Sequence, residues 1–203
     1  VICLASCADF LTEAPTTALS EGTVYSDEAN LEAGVIGVYW SLKTSNYSWT
    51  TQMSEFCSFP SILIHWKDNR TAENYIQSLR LSMFPHSAEN QGLYDYLYAS
   101  IYKCNKMIEA MSISPVDQTY KNEIEGEVKF IRAWQYFAAV RFWGDIPLIL
   151  NTPKNIDETD APRVHYMEVY KQILSDLEYA EQNMRTPERV AEVGGMTGRP
   201  NKW

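Results

Sequence analysis

The sequence lacks the features that mark several large classes of protein. No apolar run approaches the roughly 20 residues with which a helix crosses a bilayer, so no membrane-spanning segment is predicted. Lysine and arginine number 17 against 26 aspartate and glutamate, which gives a net charge of −9. A basic surface for phosphate backbones is therefore missing, and nucleic acid is not an expected partner.

Histidine is scarce and is poorly spaced for catalysis or for metal binding. His65, His86 and His165 lie far apart, and none belongs to a spacing such as HxxxH. The glycine-rich run over 194–199 lacks the Lys-Ser/Thr ending of a phosphate-binding loop. No Ser/His/Asp arrangement stands out, so we predict no cofactor, no metal and no enzymatic activity.

Only four cysteines are present, and the position of two of them favours export. The Leu-Ala-Ser-Cys run that ends at Cys7 follows an apolar start and precedes polar sequence, which is typical of a bacterial lipobox. This pattern predicts that residues 1–6 end a signal peptide, that Cys7 carries a diacylglycerol, and that 7–25 form a tether. The alternative is a buried apolar strand that happens to contain Cys3 and Cys7.

The other two cysteines, Cys57 and Cys104, are too few for a disulfide framework. Neither belongs to a CxxC pattern or stands beside a histidine. We expect both to be small buried hydrophobic residues, with a bond between them as the minor alternative.

Apolar residues three and four apart predict helices over 26–43, 89–112, 117–143 and 166–184. Ser26 is the expected cap of the first helix. The third helix has apolar residues on two sides, which predicts a central position with two buried faces. One face contains Ile124, Val128, Ile131 and Ala138, and the other Phe130, Trp134 and Phe137. Gly144 and Pro147 should end this helix.

These helices, with few strand signals, predict an all-α fold of helix pairs, an α-solenoid. Residues 26–203 are expected to form its one domain. The stretch over 44–88 is the exception, because it has no helical period over most of its length and is rich in aromatic rings. A long irregular loop is expected there.

The aromatic loop is the candidate ligand site. Sugar rings stack their C–H faces on tryptophan and tyrosine, while amide and charged groups bond the hydroxyls. Trp66 stands close to Asn69 and Arg70, and Tyr47 and Trp49 add two further rings. These five residues are therefore the predicted contacts to a neutral oligosaccharide. The alternative is that the rings only plug the side of the solenoid.

The third helix and the turn after it carry the most specific motif. The run EVKFIRAWQYF begins at Glu127, and the run VRFWGDIPL follows it shortly afterwards. The second run contains a predicted helix end and then a Gly-Asp-aliphatic-Pro turn. This pattern resembles the signature of the SusD/RagB family of outer-membrane nutrient-binding lipoproteins. Four further segments resemble that family in the same order: 7–15, 93–105, 162–180 and 198–203. The loop over 47–87 matches no family motif.

The resemblance implies tetratricopeptide-like helix pairs in a lipid-anchored protein that faces outwards on the outer membrane of a Bacteroidetes-type bacterium. It implies a complex with a SusC-like TonB-dependent transporter, and ligands that are mostly oligosaccharides and in some branches peptides. Because family members continue beyond residue 203, the chain is expected to be the N-terminal part of such a protein.

The expected function is therefore capture of oligosaccharide for a transporter, without catalysis. The main alternative is a helical scaffold that binds protein or peptide. A surface glycoside hydrolase is a third, and it would need two facing carboxylates about 5 to 9.5 Å apart. Four charged residues of the family motif, Glu127, Arg132, Arg141 and Asp145, are expected to cap helices and pair between them.

Overall fold

In the computed structural model, residues 25–43, 88–155, 158, 160–192 and 198–202 are described, and most of them are α-helical. One short antiparallel β-ribbon interrupts the helices, with Ile146 paired to Val164 and Pro147 to Arg163. The elements in chain order are α1 Glu28–Lys43, α2 Ala88–Ile113, α3 Gln118–Trp143, β1 Ile146–Pro147, β2 Arg163–Val164, α4 Tyr166–Asn183 and α5 Pro187–Glu192.

The four long helices confirm the prediction from apolar spacing, because each begins and ends within two residues of its predicted bounds. None of the described helices combines the length and the apolar character that crossing a membrane requires. The predicted signal peptide, the tether up to residue 24, and the aromatic loop lie outside the described residues.

Helix α3 is central among the described helices, because it packs against α1, α2 and α4. Two groups of buried side chains meet on it. One joins α1, α2 and α3 through residues such as Leu31, Met107 and Ile124. The other joins α2, α3 and α4 through Leu93, Tyr136, Val169 and their neighbours.

Cys104 belongs to the first of these groups and is fully buried with a free thiol. Burial raises the pKa of this thiol to about 12, so it stays protonated at neutral pH. The expectation that Cys104 is a small buried hydrophobic residue is confirmed, whereas Cys57 lies outside the described residues.

The second buried face of α3 differs from the prediction. Phe137 is 40% exposed, and Phe130 and Trp134 are only partly buried. The buried face that meets α4 and the turn after α3 includes Arg132 and Tyr136 instead. A charged residue can occupy such a position because its partners replace the water that it loses.

Two helix boundaries show why the chain turns where it does. Gly144 ends α3 with φ of +68°, a left-handed conformation that glycine adopts without steric penalty, as predicted. At the start of α1, the cap is Asp27 rather than the expected Ser26. The Asp27 carboxylate accepts a hydrogen bond of 2.8 Å from the backbone N–H of Asn30.

Candidate functional site

A groove of about 820 Å³ lies between α1, α2 and the loop after β1. Its size falls in the range of sites for small ligands, and it combines an apolar floor with a polar rim, as such sites do. The buried Val38, Met107 and Ala110 form its floor, and the half-buried Gly34 and the exposed Gly37 lie beside them. The rim includes Tyr25, Lys103, Lys106, Glu109, Asn151 and Lys154.

The two glycines of the groove have different surroundings. A Cβ atom at Gly34 would stand 2.5 Å from the sulfur of Met107, so this glycine makes room for the Met107 side chain. A Cβ atom at Gly37 would meet no described atom within 4 Å. Glycine inside a helix is less favourable than alanine by about 1 kcal/mol, and no described contact at Gly37 compensates for that loss. Gly37 therefore leaves space in the groove.

The rim is held in place by Glu109, which ties the loop to α2. Its carboxylate accepts hydrogen bonds from the Thr152 backbone N–H at 2.6 Å and from the Thr152 hydroxyl at 2.5 Å. Burial would raise the pKa of Glu109, but these two hydrogen bonds and the nearby Lys106 and Lys154 lower it below the ordinary value. Glu109 is therefore ionised at neutral pH, and the loop that carries Lys154 is fixed beside α2.

The family-like motif in α3 holds three elements together through Arg132. The guanidinium donates two parallel hydrogen bonds of 2.8 Å to the Asp176 carboxylate in α4, and a third of 2.9 Å to Asn105 in α2. Asn105 in turn donates to the carbonyl oxygen of Ile149 at 2.8 Å. The Tyr136 hydroxyl both donates to that carbonyl and accepts from the Ile149 N–H. This set of contacts positions the loop after β1, and with it one side of the groove.

Arginines near the end of the described chain form a second network with carboxylates of α1 and α3. Arg185 donates to Glu32 at 2.6 Å and to Glu123 at 3.0 Å. Arg199 donates to both oxygens of Glu127 and also to Glu32. The segment after α4 is thereby attached to α1 and α3.

The electrostatics of this network keep Glu32 charged. Partial burial would raise its pKa, but hydrogen bonds from Arg199 and Arg185 lower it below the ordinary value. The Tyr39 hydroxyl donates to Glu127 at 2.5 Å, and burial followed by the Glu127 charge raises the Tyr39 pKa. These carboxylates stabilise the packing of helices, which is the structural role expected for Glu127.

The other charged residues of the motif also have structural contacts. Asp145 accepts a hydrogen bond of 2.8 Å from the backbone N–H of Tyr166 at the start of α4. Arg141 lies in the last turn of α3, where its positive charge is favourable at the negative end of the helix dipole. Its guanidinium lies 5.2 Å above the Phe137 ring. The expectation that these charges cap helices and pair between them is confirmed for Glu127, Arg132 and Asp145.

In the part of the chain that the structure describes, no three His, Cys, Asp or Glu side chains are grouped to hold a metal ion.

The residues predicted to bind ligand, together with the predicted lipid site, lie outside the described residues: Tyr47, Trp49, Trp66, Asn69, Arg70 and Cys7. The groove was not predicted from the sequence. Its only local signal is the helical spacing of Lys103, Lys106 and Ala110, which places them on one side of α2. Lys154 joins them because Thr152 bonds Glu109 and Ile149 bonds Asn105 and Tyr136, and no sequence pattern reveals those contacts.

Comparison with known proteins gives one consistent result. A family model for SusD-like proteins, described as starch-binding and associating with the outer membrane, matches residues 9–203. The chain is 27% identical to SusD-like protein P25 of Formosa agariphila over 98% of its own length and 38% of that protein's length. It is 26% identical to a SusD-like protein of Bacteroides ovatus, over 89% of its own length and 32% of that protein's. The chain thus spans about a third of the length of these curated relatives.

Solved structures with the same fold belong to the same group. A SusD-like protein from Bacteroides fragilis has a TM-score of 0.69 at 22% identity, over 85% of this chain and 33% of that one. A laminarin-binding SusD-like protein also has a TM-score of 0.69, at 20% identity, over 79% of this chain and 35% of that one. The predicted all-α fold of tetratricopeptide-like helix pairs is confirmed.

Proposed function

This chain belongs to the SusD-like family, and on that basis we propose that it binds oligosaccharide at the bacterial surface and delivers it to a SusC-like TonB-dependent transporter. The observation that carries the proposal is the match of the starch-binding, outer-membrane-associated family model to residues 9–203. The structural likeness to a laminarin-binding protein gives further support.

Four of the described carboxylates support binding rather than catalysis. The carboxylates of Glu127 and Asp176 are largely buried and bonded to arginine, as are those of Glu32 and Glu123. A glycoside hydrolase needs two carboxylates that face a substrate across a gap. These four carboxylates hold helices together instead, so they are unsuited to that reaction. We propose that the protein is not an enzyme.

Within this function, the aromatic loop is the proposed neutral-sugar site. Trp66 would stack on a sugar face, and Asn69 and Arg70 would bond hydroxyls, with Tyr47 and Trp49 as further rings. Cys7 would carry the lipid that attaches the protein to the outer membrane, with the protein on the outer face of that membrane. This arrangement keeps the capturing site beside the transporter that takes up the sugar.

Affinity electrophoresis of the full-length protein tests the proposal directly. Gels that contain laminarin or starch should retard it, whereas gels without polysaccharide should not. The same samples, incubated with each polysaccharide, should release no reducing ends. If neither polymer retards the protein and a casein peptide digest binds to it, the peptide-binding alternative would replace the proposal. Release of reducing ends would contradict the absence of catalysis.

Trp66→Ala separates a binding platform from a packed ring. If Trp66 stacks on the sugar, its loss should weaken binding by about 1 to 3 kcal/mol and leave the melting temperature nearly unchanged. Tyr166→Ala removes an exposed ring from α4 and should change neither quantity. A fall in the melting temperature of Trp66→Ala without a specific loss of affinity would place Trp66 in the core.

A further inference from the structure

The rim of the groove between α1 and α2 has a charge opposite to that of the whole molecule. Three lysines line it, Lys103, Lys106 and Lys154, and Glu109 is the one acidic residue among the groove's described lining. Both oxygens of Glu109 accept hydrogen bonds from Thr152. The rim therefore carries a net charge of about +2 in a chain whose net charge is −9.

Two lysines of this rim, Lys103 and Lys154, differ from the other described lysines in the partners they have. Lys129 pairs with Glu125 and Lys171 with Glu168, while Lys121 and Lys202 donate to backbone carbonyls. Among the described residues, Lys103 and Lys154 form neither an ion pair nor a side-chain hydrogen bond, and both are exposed. Their ammonium groups are available to an anion that enters the groove.

The floor provides room for a ring between these charges. No described atom lies within 4 Å of the position that a Cβ on the exposed Gly37 would take, and Val38, Met107 and Ala110 give the floor an apolar surface. A sugar ring has a C–H face that suits an apolar floor and substituents that suit a polar rim. Phosphate or another small inorganic anion would leave that floor uncovered.

We propose that this groove binds an acid-bearing sugar ring, with Lys103 and Lys154 contacting its carboxylate or sulfate ester and Gly37 leaving room for the ring. The proposal rests on the proposed function, because it names a class of oligosaccharide that the protein recognises. It adds a site distinct from the aromatic loop. A chain that carries both sites would select glycans that contain neutral and acidic residues.

The test is affinity electrophoresis of the full-length protein in four polysaccharides. Polygalacturonate presents carboxylates, and its carboxyl-reduced form is the neutral counterpart. κ-Carrageenan presents sulfate esters, and its desulfated form is the neutral counterpart. The acidic member of at least one pair should retard the protein more strongly than its neutral counterpart, and the pair that does so identifies the acid group.

Three groups of variants then locate the binding. Lys103→Gln combined with Lys154→Gln should weaken binding of the acidic polymer roughly threefold to thirtyfold, as two partly exposed ion pairs would. Gly37→Leu should weaken it by filling part of the groove, and Gly37→Ala should do so less, while circular dichroism shows that α1 stays helical. Lys171→Gln removes an exposed lysine of α4 and should leave the affinity unchanged.

The outcomes separate this proposal from the general one. Equal retardation by acidic and neutral polymers would overturn the groove proposal, as would groove variants that bind the acidic polymer like the unaltered protein. Binding of laminarin or starch would survive either result, and the proposed function with it. Failure to bind any of these polysaccharides would overturn both.

Discussion

Arg132 and Asp176 form the most enclosed ion pair among the described residues, with side chains 5% and 2% exposed. At the scale of single residues, such a pair is more sensitive to the loss of one partner than to the loss of both. Without Asp176, the buried Arg132 guanidinium keeps only its hydrogen bond to Asn105 and has no opposite charge, whereas two apolar side chains of similar volume can pack.

We therefore predict that Asp176→Ala lowers the free energy of unfolding by about 3 to 5 kcal/mol. The double variant Arg132→Met, Asp176→Leu should recover a large part of that loss. Urea unfolding followed by circular dichroism measures both. Glu168→Ala, which breaks an exposed pair with Lys171, is the matched control and should have little effect. A double variant no more stable than Asp176→Ala would contradict this account.

Glu32 should make stability depend on acid pH. Its pKa in the folded protein lies below the ordinary value of 4.5, because Arg199 and Arg185 outweigh the effect of burial. Its contribution is therefore fully present above about pH 4.5 and is lost as the pH falls through the lower folded value.

The measurement for Glu32 is the melting temperature of the protein and of Glu32→Gln between pH 3 and pH 7. This range extends to both sides of ~4.5, the pKa of Glu32 in the unfolded chain. Glu32→Gln should be less stable at neutral pH, and the difference should shrink on the acid side. Glu28→Gln changes an exposed acid in the first turn of the same helix and serves as the control. A difference that stays constant across the range would show that the charge of Glu32 contributes nothing.

At the scale of secondary-structure elements, the turn after α3 joins two helices through one side chain. Gly144 ends α3, and Asp145 accepts a hydrogen bond from the first residue of α4, 21 positions later. Between them, Ile146 is buried and pairs with Val164. The Gly-Asp-Ile-Pro motif therefore sets the position of α4 relative to α3.

Asp145→Ala should accordingly lower the free energy of unfolding by about 1 kcal/mol, the usual effect of losing a capping side chain. Asp145→Asn keeps a side-chain oxygen in place and should retain most of the stability. Thermal unfolding of the two variants provides the comparison. Equal losses would indicate that the carboxylate charge matters rather than its hydrogen bond.

The same elements show how far the sequence could be interpreted. The bounds of α1 to α4 follow from local periodicity. The role of Gly144 follows from the need for a residue in the left-handed conformation at the end of α3. Both were therefore predictable. The buried face of α3 was only half predictable. Phe137 is apolar but exposed, and Arg132 is charged but buried, because Asp176 is 44 residues away and its partnership has no local signature.

The groove was beyond sequence interpretation for the same reason. Its sides come from α1, α2 and a loop that is positioned by Glu109 and Thr152, which are 43 residues apart. Periodicity reports on one helix at a time, so it places Lys103 on a side of α2 without showing what faces it. The aromatic loop, by contrast, could be proposed as a site from composition alone, and its residues lie outside those described.

At the scale of the whole molecule, the proposed function depends on attachment to a membrane. The proposed anchor is the lipid on Cys7, which the Leu-Ala-Ser-Cys run predicts. Cys7→Ala in the full precursor should leave the protein out of the outer-membrane fraction.

Cell fractionation followed by mass spectrometry of the mature N-terminus checks this prediction. Ser6→Ala keeps a small residue before the cysteine and should still permit lipidation. An unmodified Cys7 that is still preceded by residues 1–6 would contradict the lipobox interpretation.

The network of Arg185 and Arg199 has a consequence for the order in which the protein folds. Glu32 meets its arginine partners 153 and 167 residues further along the chain. Contacts across such separations form late, because the intervening chain must first lose its freedom. Until they form, the carboxylates of Glu32, Glu123 and Glu127 lack the arginines that bridge them. The bonds from Arg185 and Arg199 to Glu32 should therefore be among the last contacts to form, after the apolar faces of the helices have packed.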